Sequence, residues 1–172
     1  MIYEKTEIDG FMSGDELDWL FERAQTMDSI VEIGSWKGLS THALLSGCMG
    51  TVFAVDTFLG SPDEIEGAHI EARDHDIYQI FYRNVGHFKN LVTMRMESVK
   101  AAQFFRSQSI DMIFIDGSHK FSDIMIDLLS WVPICKNLIC GHDIHEAGVP
   151  RALSLSKLNF KKEIGCLWSA EV

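Results

Sequence analysis

The sequence predicts one α/β domain over residues 1–172, built on a doubly wound, mainly parallel sheet with helices on both faces and a C-terminal antiparallel hairpin strand. Three observations support this fold class. Apolar runs of strand length alternate with helix-compatible stretches along the chain. The runs are apolar almost throughout, as strands covered on both faces must be, rather than apolar at every second residue. Two further short runs stand close together around Gly165, the spacing of a hairpin.

The N-terminal segment 1–28 carries an amphipathic stretch from about Ser13 to Thr26. Ser13 is followed three residues later by Glu16, the pattern of a capping box, which predicts a helix there. Ser29-Ile-Val-Glu-Ile-Gly34 reads as a strand that stops at glycine, and Leu39–Leu45 as the helix after it. The next strands are Thr51–Asp56, Leu91–Arg95, Ile110–Asp116 and Ile134–Cys140, separated by helices over Tyr78–Val85, Val99–Arg106 and Phe121–Trp131. After Pro150 a helix is expected over Arg151–Leu158, then hairpin strands Phe160–Ile164 and Cys166–Val172. Residues 57–76 break the alternation. Asp63, Glu64, Glu66, Glu71, Asp74 and Asp76 against Arg73 give this stretch half of the chain's charge imbalance. It is expected as a loop or loose helix, either a solvated excursion or an acidic, lid-like insertion over the site.

Hydrophobic residues make up 47% of the chain and charged residues 23%, so a core can be buried. A net charge of -10 repels phosphate backbones and anionic lipid surfaces, so neither nucleic acid nor a membrane is expected as a partner. The start MIYEKTEIDG lacks a basic region followed by an apolar run, and no later stretch stays apolar for the roughly 20 residues of a membrane span. A cytoplasmic protein is the expectation. Cys48, Cys135, Cys140 and Cys166 form neither a CxxC pair nor a zinc-finger spacing, and are expected as reduced packing residues.

In a doubly wound sheet, ligands bind beyond the carboxyl ends of the strands, so the polar residues that end apolar runs are the candidates. The turn Glu32-Ile-Gly34-Ser35-Trp36-Lys-Gly38-Leu-Ser40-Thr41 is bounded by glycines and feeds a helix, which lets a ligand lie against backbone N–H groups. A pyrophosphate needs a further glycine where Trp36 stands, which disfavours a dinucleotide; a nucleoside still fits. Asp56 ends the second strand 22 residues after Gly34, where an acid can accept from a ribose diol. Phe114-Ile-Asp116-Gly-Ser-His119 and Cys140-Gly-His142-Asp143-Ile-His145-Glu146 end two later strands. If those strands are neighbours, two carboxylates and up to three imidazoles converge, a set suited to a divalent cation, a general base, or both. The bland alternative is that these residues cap helices and close turns. Trp131 is expected in the core, and Trp36 is the tryptophan expected to touch a ligand.

Glu32-Ile-Gly34-Ser-x-x-Gly38-x-Ser-Thr41, Val55-Asp56-Thr-Phe-x-Gly-Ser, Phe114-Ile-Asp116-Gly-x-His119-x-Phe-x-x-x-x-x-Asp127 and Gly141-His142-Asp143 together resemble the Rossmann-like class I S-adenosylmethionine-dependent methyltransferases. Within these the sequence is most similar to the group of macrocin and mycinamicin sugar O-methyltransferases and cephalosporin-hydroxylase proteins. The resemblance runs from about Ile30 to Ile144. It implies that Glu32 and Gly34 lie against the methionine and ribose portion of the cofactor, that Asp56 holds the ribose hydroxyls, and that Glu97 or Ser98 lies near the adenine. It also implies that Asp116 and Asp143 hold Mg²⁺ in metal-dependent members, and that His119 takes the proton from the acceptor hydroxyl. One position departs: those members tend to carry a carboxylate just before the aspartate matching Asp143, and this chain has His142.

The expectation is therefore methyl transfer from S-adenosylmethionine to a hydroxyl of a small polar substrate, with a sugar as one candidate. Its candidate catalytic residues are His119 and Asp116. The cofactor residues are Glu32, Gly34, Ser35, Trp36, Gly38, Ser40, Thr41, Asp56, Glu97, Ser98 and Asp116, and the candidate ligands for Mg²⁺ or another divalent cation are Asp116, His142 and Asp143. Three other classes stay open: a metal-dependent hydroxylase or hydrolase using Asp116, His119, His142 and Asp143, a cofactor-binding protein without catalysis, and, least favoured because of Trp36, a dinucleotide oxidoreductase. A homo-oligomer is also open, since a chain this short leaves room for a partner subunit to close the pocket.

Overall fold

The computed structural model describes residues 3–60 and 68–172. Its elements follow the predicted alternation. Helix α1 (Gly14–Ala24) starts at a complete capping box, with the Ser13 side chain accepting from the Glu16 amide and the Glu16 side chain accepting from the Ser13 amide. Strand β1 (Ser29–Ile33), helix α2 (Leu39–Gly47) and strand β2 (Thr51–Asp56) come next, then α3 (Ala68–Asp74), α4 (Ile77–Val85), β3 (Leu91–Arg95) and α5 (Ser98–Ala102). The second half holds β4 (Ile110–Ile115), α6 (Phe121–Trp131), β5 (Cys135–Gly141), α7 (Gly148–Ser156), β6 (Lys161–Lys162) and β7 (Trp168–Glu171).

These strands form one seven-stranded sheet in the order β3-β2-β1-β4-β5-β7-β6. The first five run parallel; β7 pairs antiparallel with β5, and β6 antiparallel with β7. Alternate side chains of each strand enter opposite layers. Met112 and Phe114 of β4 join Ile30, Leu20, Leu44 and Phe81 in the layer under α1, α2 and α4. Ile113 and Ile115 join Val31, Ile139, Leu128 and Trp131 under α5, α6 and α7. All six residues of β4 are buried, which is why its sequence shows no polar alternation.

Several boundaries shift by a residue or two from expectation, and at α5, α7 and β6 the difference has a clear structural reason. Helix α5 stops at Ala102, because Phe105 leaves the helix to pack edge-on against Phe53 and onto Trp131. Helix α7 begins before Pro150 rather than after it; proline is tolerated in a first turn, where its missing N–H would have had no helical partner. Strand β6 is only two exposed residues long, since it covers just the outer edge of β7. The acidic segment 57–76 contains α3 and ends at Asp76, the N-cap of α4; its part from 61 to 67 lies outside the described residues.

Candidate active site

Connections from β1 wind one way to β2 and β3 and the other way to β4 and β5, so the strand order reverses at β1. Such a switch point leaves a crevice beyond the carboxyl ends of the strands. A cavity of about 730 Å³ opens there. Gly34, Ser35, Trp36 and Ser40 line it from the turn, Asp56 from β2, Glu97 and Ser98 from the start of α5, and Asp116, His119, His142 and Asp143 from beyond β4 and β5. Glu32, Gly38 and Thr41 lie outside its lining, as do the exposed His145 and Glu146.

The turn is held by its own backbone. Gly34 has a φ of +87°, and a Cβ there would stand 2.1 Å from the Asp116 carbonyl oxygen, so only glycine lets the turn close against the end of β4. Asp56 accepts from the Trp36 amide at 2.8 Å and from the Phe58 amide at 2.7 Å, which fixes both residues in left-handed conformations. Burial raises the Asp56 pKa and these amides oppose the rise. Beneath the turn, Glu32 is wholly buried and accepts from Ser40 Oγ at 2.6 Å and Thr41 Oγ1 at 2.5 Å. Burial pushes its pKa up to about 7 even against these donors. Ser35 Oγ, near enough to Glu32 to favour its charged form, is buried without a normal hydrogen bond of its own.

Across the cavity the side chains bond to one another. His119 Nε2 lies 2.8 Å from Asp143 Oδ2, and His142 Nδ1 lies 3.2 Å from the same oxygen and 3.7 Å from Asp116 Oδ1. The other nitrogen of His142, Nε2, is 3.1 Å from Glu16 Oε1. Burial alone would lower the His142 pKa, yet the Asp143 hydrogen bond and the charges of Asp116 and Glu16 raise it to about 9. Burial pushes Asp116 up to about 8, with His142 opposing and Asp143 adding. Burial would also raise Asp143, but the two imidazoles hold it well below the usual carboxylate range. The candidate ligand atoms of Asp116, His142 and Asp143 lie within 4.8 Å of one another, a separation at which two carboxylates and an imidazole can share a cation.

Four lining or supporting residues escaped sequence reasoning. Lys37 is buried and bonds Asp9 at 2.7 Å and Glu71 at 2.6 Å, joining the turn to the N-terminal segment and to α3. Asp127, quoted above only as a motif position, lines the cavity and accepts from Ser98 Oγ at 2.5 Å, which in turn accepts from Trp131 Nε1 at 2.7 Å. Asp9 also lines the cavity, and Glu16 reaches the cluster from α1. Asp127 left a signal as a motif position, and Glu16 left its capping spacing, which spoke for the helix alone.

A parallel sheet with a backbone-built turn on one side of its switch point and an acid–imidazole cluster on the other defines a ligand-binding α/β protein with groups for proton transfer. Comparison with known proteins gives the family: the chain belongs to a methyltransferase domain family, whose model matches residues 31–144. Uncharacterized protein y4gI of Sinorhizobium fredii (strain NBRC 101917 / NGR234) is 30% identical over 125 residues; the match covers 66% of this chain and 13% of that protein's length. The O-methyltransferase NovP matches the fold with a TM-score of 0.69 at 12% identity, covering 91% of this chain and 78% of its own. The O-methyltransferase from Bacillus cereus, solved with SAH (S-adenosylhomocysteine), matches at 0.60 and 16% identity over 97% and 84%. The SAH-bound Podospora anserina methyltransferase PaMTH1 matches at 0.64 and 13% identity over 92% and 78%. No helix among the described residues is long and apolar enough to cross a membrane.

Proposed function

We propose that the protein transfers a methyl group from S-adenosylmethionine to a hydroxyl of a small polar acceptor, a sugar being the first candidate. The observation that carries this reading is that one cavity has two unlike sides, a turn suited to a nucleoside and a cluster suited to moving a proton. Asp56, held by the Trp36 and Phe58 amides, lines the cavity at the end of β2, where its carboxylate would accept from the ribose hydroxyls. The start of α2, where helix amides favour an anion, would hold the methionine carboxylate of the cofactor. Ser35, with its buried hydroxyl, is within the same turn. Glu97 lines the far end with Ser98, whose hydroxyl is already committed to Asp127 and Trp131, so Glu97 is the better partner for the adenine.

A sulfonium methyl is activated by the cofactor itself; the protein has to align the acceptor oxygen and remove its proton. His119 takes that proton, and the Asp143 carboxylate at 2.8 Å stabilises the imidazolium that forms. Asp116, Asp143 and His142 Nδ1 would hold a divalent cation, which when bound supplies Lewis acidity toward the acceptor hydroxyl. The same three donors support a second reading, a metal-dependent hydroxylase or hydrolase. The reading includes a cytoplasmic setting, supported by four cysteines that form no disulfide.

Calorimetric titration with S-adenosylhomocysteine tests the reading: a folded protein that takes up none is not a methyltransferase of this kind. In a methyl-transfer assay over a panel of polyhydroxylated acceptors, His119→Ala should lower turnover by about 10²–10⁴-fold with S-adenosylhomocysteine affinity kept. Equal loss of affinity would move His119 from the acceptor side to the cofactor.

A further inference from the structure

We propose that Glu16 is a positioning residue of this site: it fixes the ring of His142 and, through His142 and Asp143, the orientation of His119. The chemistry of the proposal rests on the methyl-transfer reading, while its geometry does not. Capping α1 occupies only one oxygen of the Glu16 carboxylate. Oε2 accepts from the Ser13 amide at 2.7 Å and from Ser13 Oγ at 2.8 Å. Oε1 has no part in the cap; it accepts from the Cys166 amide at 2.7 Å and meets His142 Nε2 at 3.1 Å. Four donors therefore converge on one carboxylate, which fills its acceptor capacity.

The surroundings are shaped to admit this group. Glu16 is 4% exposed, a burial that glutamate rarely reaches without partners. Gly165 faces it with a φ of +59°, and a Cβ at that position would stand 2.3 Å from Glu16 Oε1. The hairpin before β7 thus turns on a glycine where the carboxylate needs room.

A carboxylate only accepts, so His142 Nε2 is the donor in this contact and carries a hydrogen. The ring is then committed: with Nε2 turned to Glu16, Nδ1 is turned to Asp143 and Asp116 on the cavity side. From Asp143 the next contact is His119. Carboxylate, imidazole, carboxylate and imidazole alternate from the first turn of α1 to the cavity wall. Rotation of a histidine ring about its last torsion is soft, and among the described residues Glu16 is the hydrogen-bond partner that holds Nε2.

The test uses the full chain, labelled with ¹⁵N-histidine and free of ligand, at neutral pH. Ring signals are assigned with His142→Asn and His119→Asn. The His142 Nε2 proton should exchange slowly with solvent in the wild type. Glu16→Met removes both acceptor oxygens at similar length; its Nε2 proton should exchange at least tenfold faster, and the His119 ring signals should move. Ser13→Ala, which weakens the cap and leaves Oε1 alone, should lower the melting temperature with both rings as in the wild type. Should Glu16→Met not fold, Glu16→Gln serves, since in either orientation its amide holds the Nε2 proton less tightly than a carboxylate does. Unchanged histidine signals in the folded Glu16 variant would overturn the proposal, as would an equal disturbance in Ser13→Ala. Failure of the wild type to bind S-adenosylhomocysteine would remove the methyl-transfer reading and leave the ring measurement standing.

Discussion

The two sides of the cavity are built in opposite ways. On the turn side, Glu32 bonds Ser40 and Thr41 eight and nine residues ahead of it, and Asp56 bonds Trp36 twenty residues before it. Backbone amides and small hydroxyls do the work, within one β1–α2–β2 unit. On the cluster side, His142 meets Glu16 across 126 residues, and its contacts run between charged side chains contributed by three separate elements. A site made of local backbone needs little else to form, whereas a site made of distant ionisable groups exists only once the sheet is complete.

Gly34 is the seam between the two sides, and it should show the largest effect. Gly34→Ala sets a Cβ against the Asp116 carbonyl in a left-handed conformation. Strain and overpacking together should cost about 4 kcal/mol in urea unfolding, and both sides should fail together. A variant of normal stability would mean that the sides are less closely joined than the contact implies.

Glu32 gives the next effect, and it depends on pH. Its pKa rises from an ordinary 4.5 to about 7 in the folded protein, so the folded state holds this proton more tightly than the unfolded chain does. The resulting stability is complete below the ordinary value and is lost as pH rises through the folded one. Glu32→Gln keeps the size of the side chain without the charge. The stability difference between wild type and variant should shift in favour of the variant by about 3 kcal/mol between about pH 5 and pH 8. A constant difference would show that Glu32 is not the group that titrates.

The smallest effects separate the sides directly. Asp56→Ala should weaken S-adenosylhomocysteine binding by roughly 1.5–3 kcal/mol, the range for hydrogen bonds to a charged group. Asp143→Asn should lower turnover and any metal affinity while leaving S-adenosylhomocysteine affinity largely unchanged. If the two variants lose cofactor affinity equally, the division of labour drawn here is wrong.

This contrast also explains what could be read in advance. Strands β1 and β4 were legible because burial makes them apolar almost end to end, β2, β3 and β5 because each is a short apolar-rich run between helix-compatible stretches, and the capping box marked the start of α1. Asp56 and the glycine turn could be paired in advance because their separation falls within a single strand–helix–strand unit. Asp116, His119 and Asp143 were nameable as strand-end residues, but their meeting depends on β4 lying beside β5, which no local pattern encodes. Lys37 was missed for a plain reason: a lysine beside a tryptophan in a turn looks solvated until Asp9 and Glu71 arrive from two other segments. Glu16 was half read, since its spacing announces one oxygen's task and is silent on the other's.

The antiparallel insertion of β7 also sets an order of events during synthesis. Trp168 is fully buried, donates its indole N–H to the His142 carbonyl at 3.1 Å, and follows His142 by 26 residues. On a ribosome adding about 5–20 residues per second, β5 waits on the order of one to five seconds for the strand that will cover its edge. Until β7 is in place, that edge of β5 is an open row of backbone donors and acceptors, the template on which chains misassociate. A synonymous change that slows translation between these two positions would lengthen that wait while leaving the finished protein identical.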